Sequence, residues 1–141
     1  MLLVFRCRQC HTVLTGRVQH TAWSPLPRIR GREHYSLGPS TVVAGCFSID
    51  PEPFRFRDVT HETVVINPSD EARLQRHTDP ARLYGCCGLD GLDGANLLCQ
   101  ACEAEVGVEI SDCWTEHDVR LIRTAVVEEP VAADGVVSSA G

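Results

Sequence analysis

The stretch Cys99-Gln100-Ala101-Cys102-Glu103-Ala104-Glu105-Val106-Gly107-Val108-Glu109-Ile110 joins a two-cysteine unit to an apolar alternation, and its period decides the fold class. Ala104, Val106, Val108, Ile110 and Trp114 share one parity, while Glu103, Glu105, Glu109 and Ser111 share the other. A period of two belongs to a strand with one buried face, because successive Cβ atoms point to opposite sides of a sheet. Trp114 is therefore expected as a packed core aromatic. The β-branched run 119–127 follows a turn at 115–118, so the two segments are expected to pair as an antiparallel hairpin. A second unit of the same spacing, Cys7-Arg8-Gln9-Cys10, ends the apolar run 2–5, with Val13 and Leu14 expected to return as a strand.

Two such units offer four thiolates, Cys7, Cys10, Cys99 and Cys102, at the spacing of a tetrahedral zinc site. Four thiolates close the coordination sphere and leave no position for water or substrate, so the expected role is structural. Residues 11–98 lie between the units, and a metal would close that loop against its entropy. The plain alternative is a set of buried thiols with coincidental spacing. Iron would also suit four thiolates.

Eight cysteines exceed what one site needs. Cys86 or Cys87 could join Cys99, Cys102 and Cys113 in a second-ranked tetrad. Adjacent side chains in extended backbone point apart, so one of Cys86 and Cys87 is expected to pack rather than ligate. Cys86, Cys87 and Cys113 are candidates for a second metal or a redox thiol. Cys46 stands alone. The loop 85–94 holds four glycines with Asp90 and Asp93, which suits tight turns, whereas an EF-hand would need further acids and a terminal Glu. With Asp112, Trp114 and His117 this loop forms a candidate ligand-binding face. The six histidines lack the spacing of a catalytic metal pair, and no catalytic residue is assigned.

Elsewhere the pattern predicts a surface loop over 24–39 and strands over 41–49 and 63–66. Short helical turns are expected from Asn67 or Ser69 to Leu74, and from Asp79-Pro80 to Leu83. From Glu128 onward large side chains disappear, so 1–127 is expected as one zinc-binding β domain and 128–141 as a disordered tail. The chain has 141 residues, 13 basic against 19 acidic side chains and a net charge of -6, which argues against non-specific nucleic-acid binding. The opening apolar run is too short for a signal peptide or a membrane span, giving a cytoplasmic expectation in which thiols stay reduced.

Val4-Phe5-Arg6-Cys7-Arg8-Gln9-Cys10, the central β segments, and Cys99-Gln100-Ala101-Cys102 followed by Glu105-Val106-Gly107 resemble the β-tent layout of Yippee and the thalidomide-binding domain of cereblon. The resemblance implies a mainly β fold of antiparallel sheets pinned by zinc on two CxxC units, with one or two short helices. Cereblon-type domains carry a Gly-Trp-aromatic segment after the second unit; here Val108 follows Gly107, so their aromatic ligand cage is not carried over. Locally, the segments 82–91 and 111–114 resemble a bacterial family with the same GCCGxDG and DCW motifs, which implies no activity.

The expectation is a zinc-stabilised, non-enzymatic binding module for a small ligand or a protein partner. Its rival is a thiol-based redox or metal-dependent enzyme working through Cys86, Cys87 or Cys113.

Overall fold

The computed structural model describes residues 1–26, 38–56 and 59–132. Eleven strands lie among them: β1 (Leu2–Cys7), β2 (Val18–His20), β3 (Cys46–Ile49), β4 (Phe54–Phe56), β5 (Val59–His61), β6 (Thr63–Ile66), β7 (Leu74–Arg76), β8 (Leu97–Cys99), β9 (Glu105–Ile110), β10 (Asp118–Ile122) and β11 (Val126–Val131). The protein is mainly β, as its alternation predicts. Nine strands form one curled sheet in the order β11-β1-β2-β3-β6-β10-β9-β8-β7, and β4 and β5 pair separately as a hairpin. Pairing is antiparallel throughout the nine-stranded sheet except between β2 and β3. No helix among the described residues is long and apolar enough to cross a membrane.

The expected hairpin is present: Asp118, Val119, Arg120 and Leu121 face Ile110, Glu109, Val108 and Gly107. A side chain at Gly107 would place its Cβ 2.6 Å from the Arg120 carbonyl oxygen, so glycine lets these two backbones meet. Leu3, Phe5, Leu14, Val18, Phe47, Ile66, Leu97, Val119 and Leu121 pack in the main core, together with the sulfurs of Cys7 and Cys99. All five residues of β10 are buried. Arg120 survives there by ion-pairing Asp50 at 2.7 Å and bonding Thr63 Oγ1 at 2.9 Å, with Phe54 of the hairpin 4.6 Å away. A buried guanidinium needs such partners, because desolvation alone would cost several kcal/mol.

The curl positions the cysteines. β1 and β8 are six places apart in the sheet, which on a flat surface is roughly 29 Å at the usual strand spacing. Here the turn after β1 bonds the segment before β7, with Gly16 N–H donating to Asp70 O and Ala72 N–H to Leu14 O, both at 2.8 Å. The ends of β1 and β8 therefore face each other.

Several expectations are corrected. Val13 and Leu14 return along β1 through the Arg6–Val13 bridge and a Leu14–Phe5 bond, without a continuous strand. The strand expected over 41–49 is confined to β3, because the chain turns at Gly45 with φ +86° and Thr41 bonds Asp118 instead. The first helical turn is a single 3-10 turn, Pro68–Asp70, capped by Asn67, and Leu74 already belongs to β7. The second, Pro80–Arg82 capped by Asp79, is as short as its sequence implies. The run 119–127 is broken by a 3-10 turn at Arg123–Ala125. Beyond it β11 pairs with β1 as far as Leu2 opposite Val131, so order extends past the expected boundary at 127. Backbone pairing needs no large side chain, and Glu128, Glu129 and Pro130 are residues an edge strand tolerates. The expected loop over 24–39 lies largely outside the described residues, as do residues 133–141 of the expected tail.

Candidate metal centre and a second thiol cluster

Each CxxC unit turns the chain in the same way. Cys7 N–H donates to Thr12 O and His11 N–H to Cys7 O, both at 2.8 Å; Cys99 N–H donates to Ala104 O at 2.9 Å and Glu103 N–H to Cys99 O at 2.8 Å. His11 and Glu103, each one residue past its unit, both sit at φ +63°. Two residues other than glycine in the left-handed region at matching positions mark a backbone held to one geometry twice.

The two units meet with Cys7 Sγ 3.6 Å from Cys102 Sγ and Cys10 Sγ 3.6 Å from Cys99 Sγ, and all four sulfurs lie within 4.8 Å of one another. A tetrahedron with zinc–sulfur bonds of about 2.3 Å has an edge of about 3.8 Å, so the sulfur cage has the size of a four-thiolate site. Without a cation the thiols do not ionise alike. The Thr12 hydroxyl and backbone N–H draw Cys10 down to about 6. At Cys102 the Ala104 N–H favours the thiolate, but burial and the neighbouring thiols push the group up to about 12. Burial also pushes Cys7 up. A divalent ion at the centre would offset the charge that four thiolates concentrate.

The second-ranked tetrad does not form: Cys99 and Cys102 lie with Cys7 and Cys10, and Cys113 lies with Cys86 and Cys87. The sulfurs of Cys86, Cys87 and Cys113 are within 4.8 Å of one another, and those of the adjacent pair are 3.8 Å apart. The expectation that neighbouring cysteines diverge is corrected, since it assumes extended backbone and this segment turns.

Asp112 causes that turn. Its Oδ1 accepts from the backbone N–H of Cys87 at 2.8 Å, Gly88 at 3.2 Å and Cys113 at 2.7 Å, while Oδ2 accepts from Cys86 N–H at 2.7 Å and Trp114 Nε1 at 3.0 Å. Asp112 is fully buried, yet burial, which opposes ionisation, is outweighed by these donors, and its carboxyl is held below the usual range. Burial and contact with Cys87, Asp112 and Cys86 push the Cys113 thiol up to about 12. Two glycines admit the close approach: a Cβ on Gly85 would lie 2.8 Å from Asp112 Oδ2, and one on Gly88 would strike the Ser111 carbonyl oxygen.

Trp114 is 61% exposed, which corrects its assignment to the core: β9 ends at Ile110, so the alternation no longer governs the side chain four residues on. The candidate ligand face is gathered only in part. Asp112 and Trp114 join the three cysteines, whereas Asp90 accepts from Leu92 N–H at 2.9 Å within its own turn. Neither Asp90, Asp93 nor His117 belongs to a group of three or more convergent metal-ligating side chains among the described residues.

The sequence reading missed a cleft of about 890 Å³ on the sheet, floored by Leu3, Phe5, Phe47, Ile49, Val64 and Val126 and rimmed by Arg8, Glu62, Arg123 and Glu128. Its lining comes from β1, β2, β3, β6, β11 and the 3-10 turn at Arg123–Ala125, so no single segment announces it. Nor did any local signal reveal Asp112 as the hub of the 85–88 turn, although glycines flanking a cysteine pair mark a backbone that something approaches closely. Compared with known proteins, the chain matches no family model, no curated protein and no solved structure.

Proposed function

We propose that this chain is a zinc-stabilised, non-enzymatic binding module, in which Cys7, Cys10, Cys99 and Cys102 hold a structural zinc and the sheet presents its cleft to a small ligand or protein partner. The observation that supports the metal is the pair of 3.6 Å sulfur contacts between two identically turned units. Zinc would supply a four-bond cross-link there and no open coordination position. A cleft of about 890 Å³ with an apolar floor and a charged rim supports the binding role, being in the size range of small-molecule sites. The intracellular setting proposed for the chain is one in which such thiols remain reduced.

Elemental analysis of the purified chain with thiol counting tests the metal: one zinc per chain is expected, with the four tetrad thiols reacting only after chelation. A metal-free chain that unfolds identically with and without chelator would refute it. The rival, a thiol-based redox or metal-dependent enzyme, is favoured by one observation, the convergence of the Cys86, Cys87 and Cys113 sulfurs.

A further inference from the structure

We propose that Cys86, Cys87 and Cys113 form a second metal site, open to solvent, that takes a soft monovalent or divalent cation on three sulfurs and exchanges it with solution. The proposal is independent of the tetrad. Three sulfurs converge within 4.8 Å, and the 3.8 Å separation of the adjacent pair matches the sulfur spacing of about 3.8 Å around a small thiolate-bound ion. Cys86 and Cys87 are exposed, so an ion can enter and leave, unlike at the tetrad, where Cys7 and Cys99 are buried.

The site is built before any ion arrives. Asp112 fixes the backbone N–H groups of all three cysteines, and through Gly88 N–H and the Trp114 indole it fixes the flanks of both segments. Both carboxylate oxygens accept from these donors, and the Cys113 thiol also hydrogen-bonds the carboxylate and would give up that proton to an incoming cation, so Asp112 is a positioning residue and the sulfurs are the ligands. Gly85 and Gly88 let the loop settle against Asp112 and Ser111. A donor set of three sulfurs leaves a borderline ion such as zinc short of its usual four ligands, whereas monovalent copper belongs to the class that soft thiolates select. No net oxidation or reduction is involved: cation binding displaces protons from the thiols into solution.

The test titrates the full-length, zinc-loaded protein anaerobically with monovalent copper delivered from a chromophoric chelator, and in parallel with cadmium. One equivalent of either ion is expected to bind without releasing zinc, and to protect Cys86, Cys87 and Cys113 from alkylation when labelled peptides are mapped. The Cys86→Ser/Cys87→Ser/Cys113→Ser variant should lose that equivalent and keep its zinc. Asp112→Asn should retain the stoichiometry while affinity falls about 10- to 100-fold, as for other residues that orient ligands. Peptide mapping of the unmodified chain keeps the result readable should the triple variant fold poorly. Failure of the wild-type protein to take up either ion, uptake matched by stoichiometric zinc release, or protection mapping elsewhere would overturn the proposal. Uptake at these three cysteines in a chain that holds no zinc would support this site and refute the tetrad instead.

Discussion

Cys7, Cys10, Cys99 and Cys102 come from two units with residues 11–98 between them and from strands six places apart in the sheet, whereas Cys86, Cys87 and Cys113 are gathered by short segments around one carboxylate. Sequence-distant sulfurs can meet only after the sheet has curled, so a bond among them stabilises the whole topology against the entropy of a long loop. The Asp112 cluster joins segments only 25 to 26 residues apart, stapled by hydrogen bonds that exist without metal. One cluster closes the fold, and the other rides on it.

The largest effect separating the two is expected at Cys99. Cys99→Ser removes one ligand from a site whose binding free energy, on the order of 10 kcal/mol, is comparable to the stability of an entire domain. Cooperative urea unfolding should disappear. Cys46→Ser, at the half-buried start of β3, should cost about 1 kcal/mol, and equal losses for the two variants would break the distinction.

At the other cluster, Asp112→Ala orphans four backbone N–H groups and an indole N–H. A loss of about 3 to 5 kcal/mol is expected in the same urea assay, with zinc content unchanged. Loss of zinc together with that loop would show the two clusters to be coupled. Gly88→Ala should destabilise by about 2 kcal/mol, because its Cβ meets the Ser111 backbone rather than a side chain that can swing away; a neutral result would mean the loop does not sit against Ser111.

The smallest expected effect sharpens a second contrast, between two buried aspartates six residues apart. Asp112 is held ionised by its donors, but Asp118 is pushed up by burial, only partly offset by the hydroxyl and N–H of Thr41 at 2.6 and 2.8 Å. Glu116 adds to that rise and Arg120 opposes it. A carboxyl whose folded pKa is raised binds its proton more tightly when folded, so its stability contribution grows as pH falls through the folded value toward about 4. As the pH falls from neutral toward about 4, wild-type stability should therefore gain on that of Asp118→Asn in paired denaturation curves. Parallel curves would remove Asp118 from the pH response.

Much of this was legible in the sequence where chemistry and period coincide. The CxxC spacing identified the four sulfurs that meet, and the alternation from Ala104 to Ile110 identified β9 and its pairing with β10. Legibility failed where backbone direction changes without a strong local signal. Trp114 shares the parity of the core but follows the turn at Asp112, and Cys86 and Cys87 converge because the same carboxylate bends their backbone. The sequence does not signal the end of β11, because Glu128 to Val131 carry no core-sized side chains, although pairing with β1 and the Arg6–Glu129 bridge at 2.9 Å hold them. The cleft and the Asp50–Arg120 pair depend on strands distant in sequence, which a local pattern does not encode.

The most direct measurement is native mass spectrometry of the purified chain combined with timed alkylation of its eight thiols. One zinc per chain is predicted, with Cys86 and Cys87 labelled at once and Cys7, Cys10, Cys99 and Cys102 labelled together only after zinc is stripped. A metal-free chain in which the four tetrad cysteines label as fast as Cys86 and Cys87 would contradict the division between a cluster that closes the fold and one that rides on it.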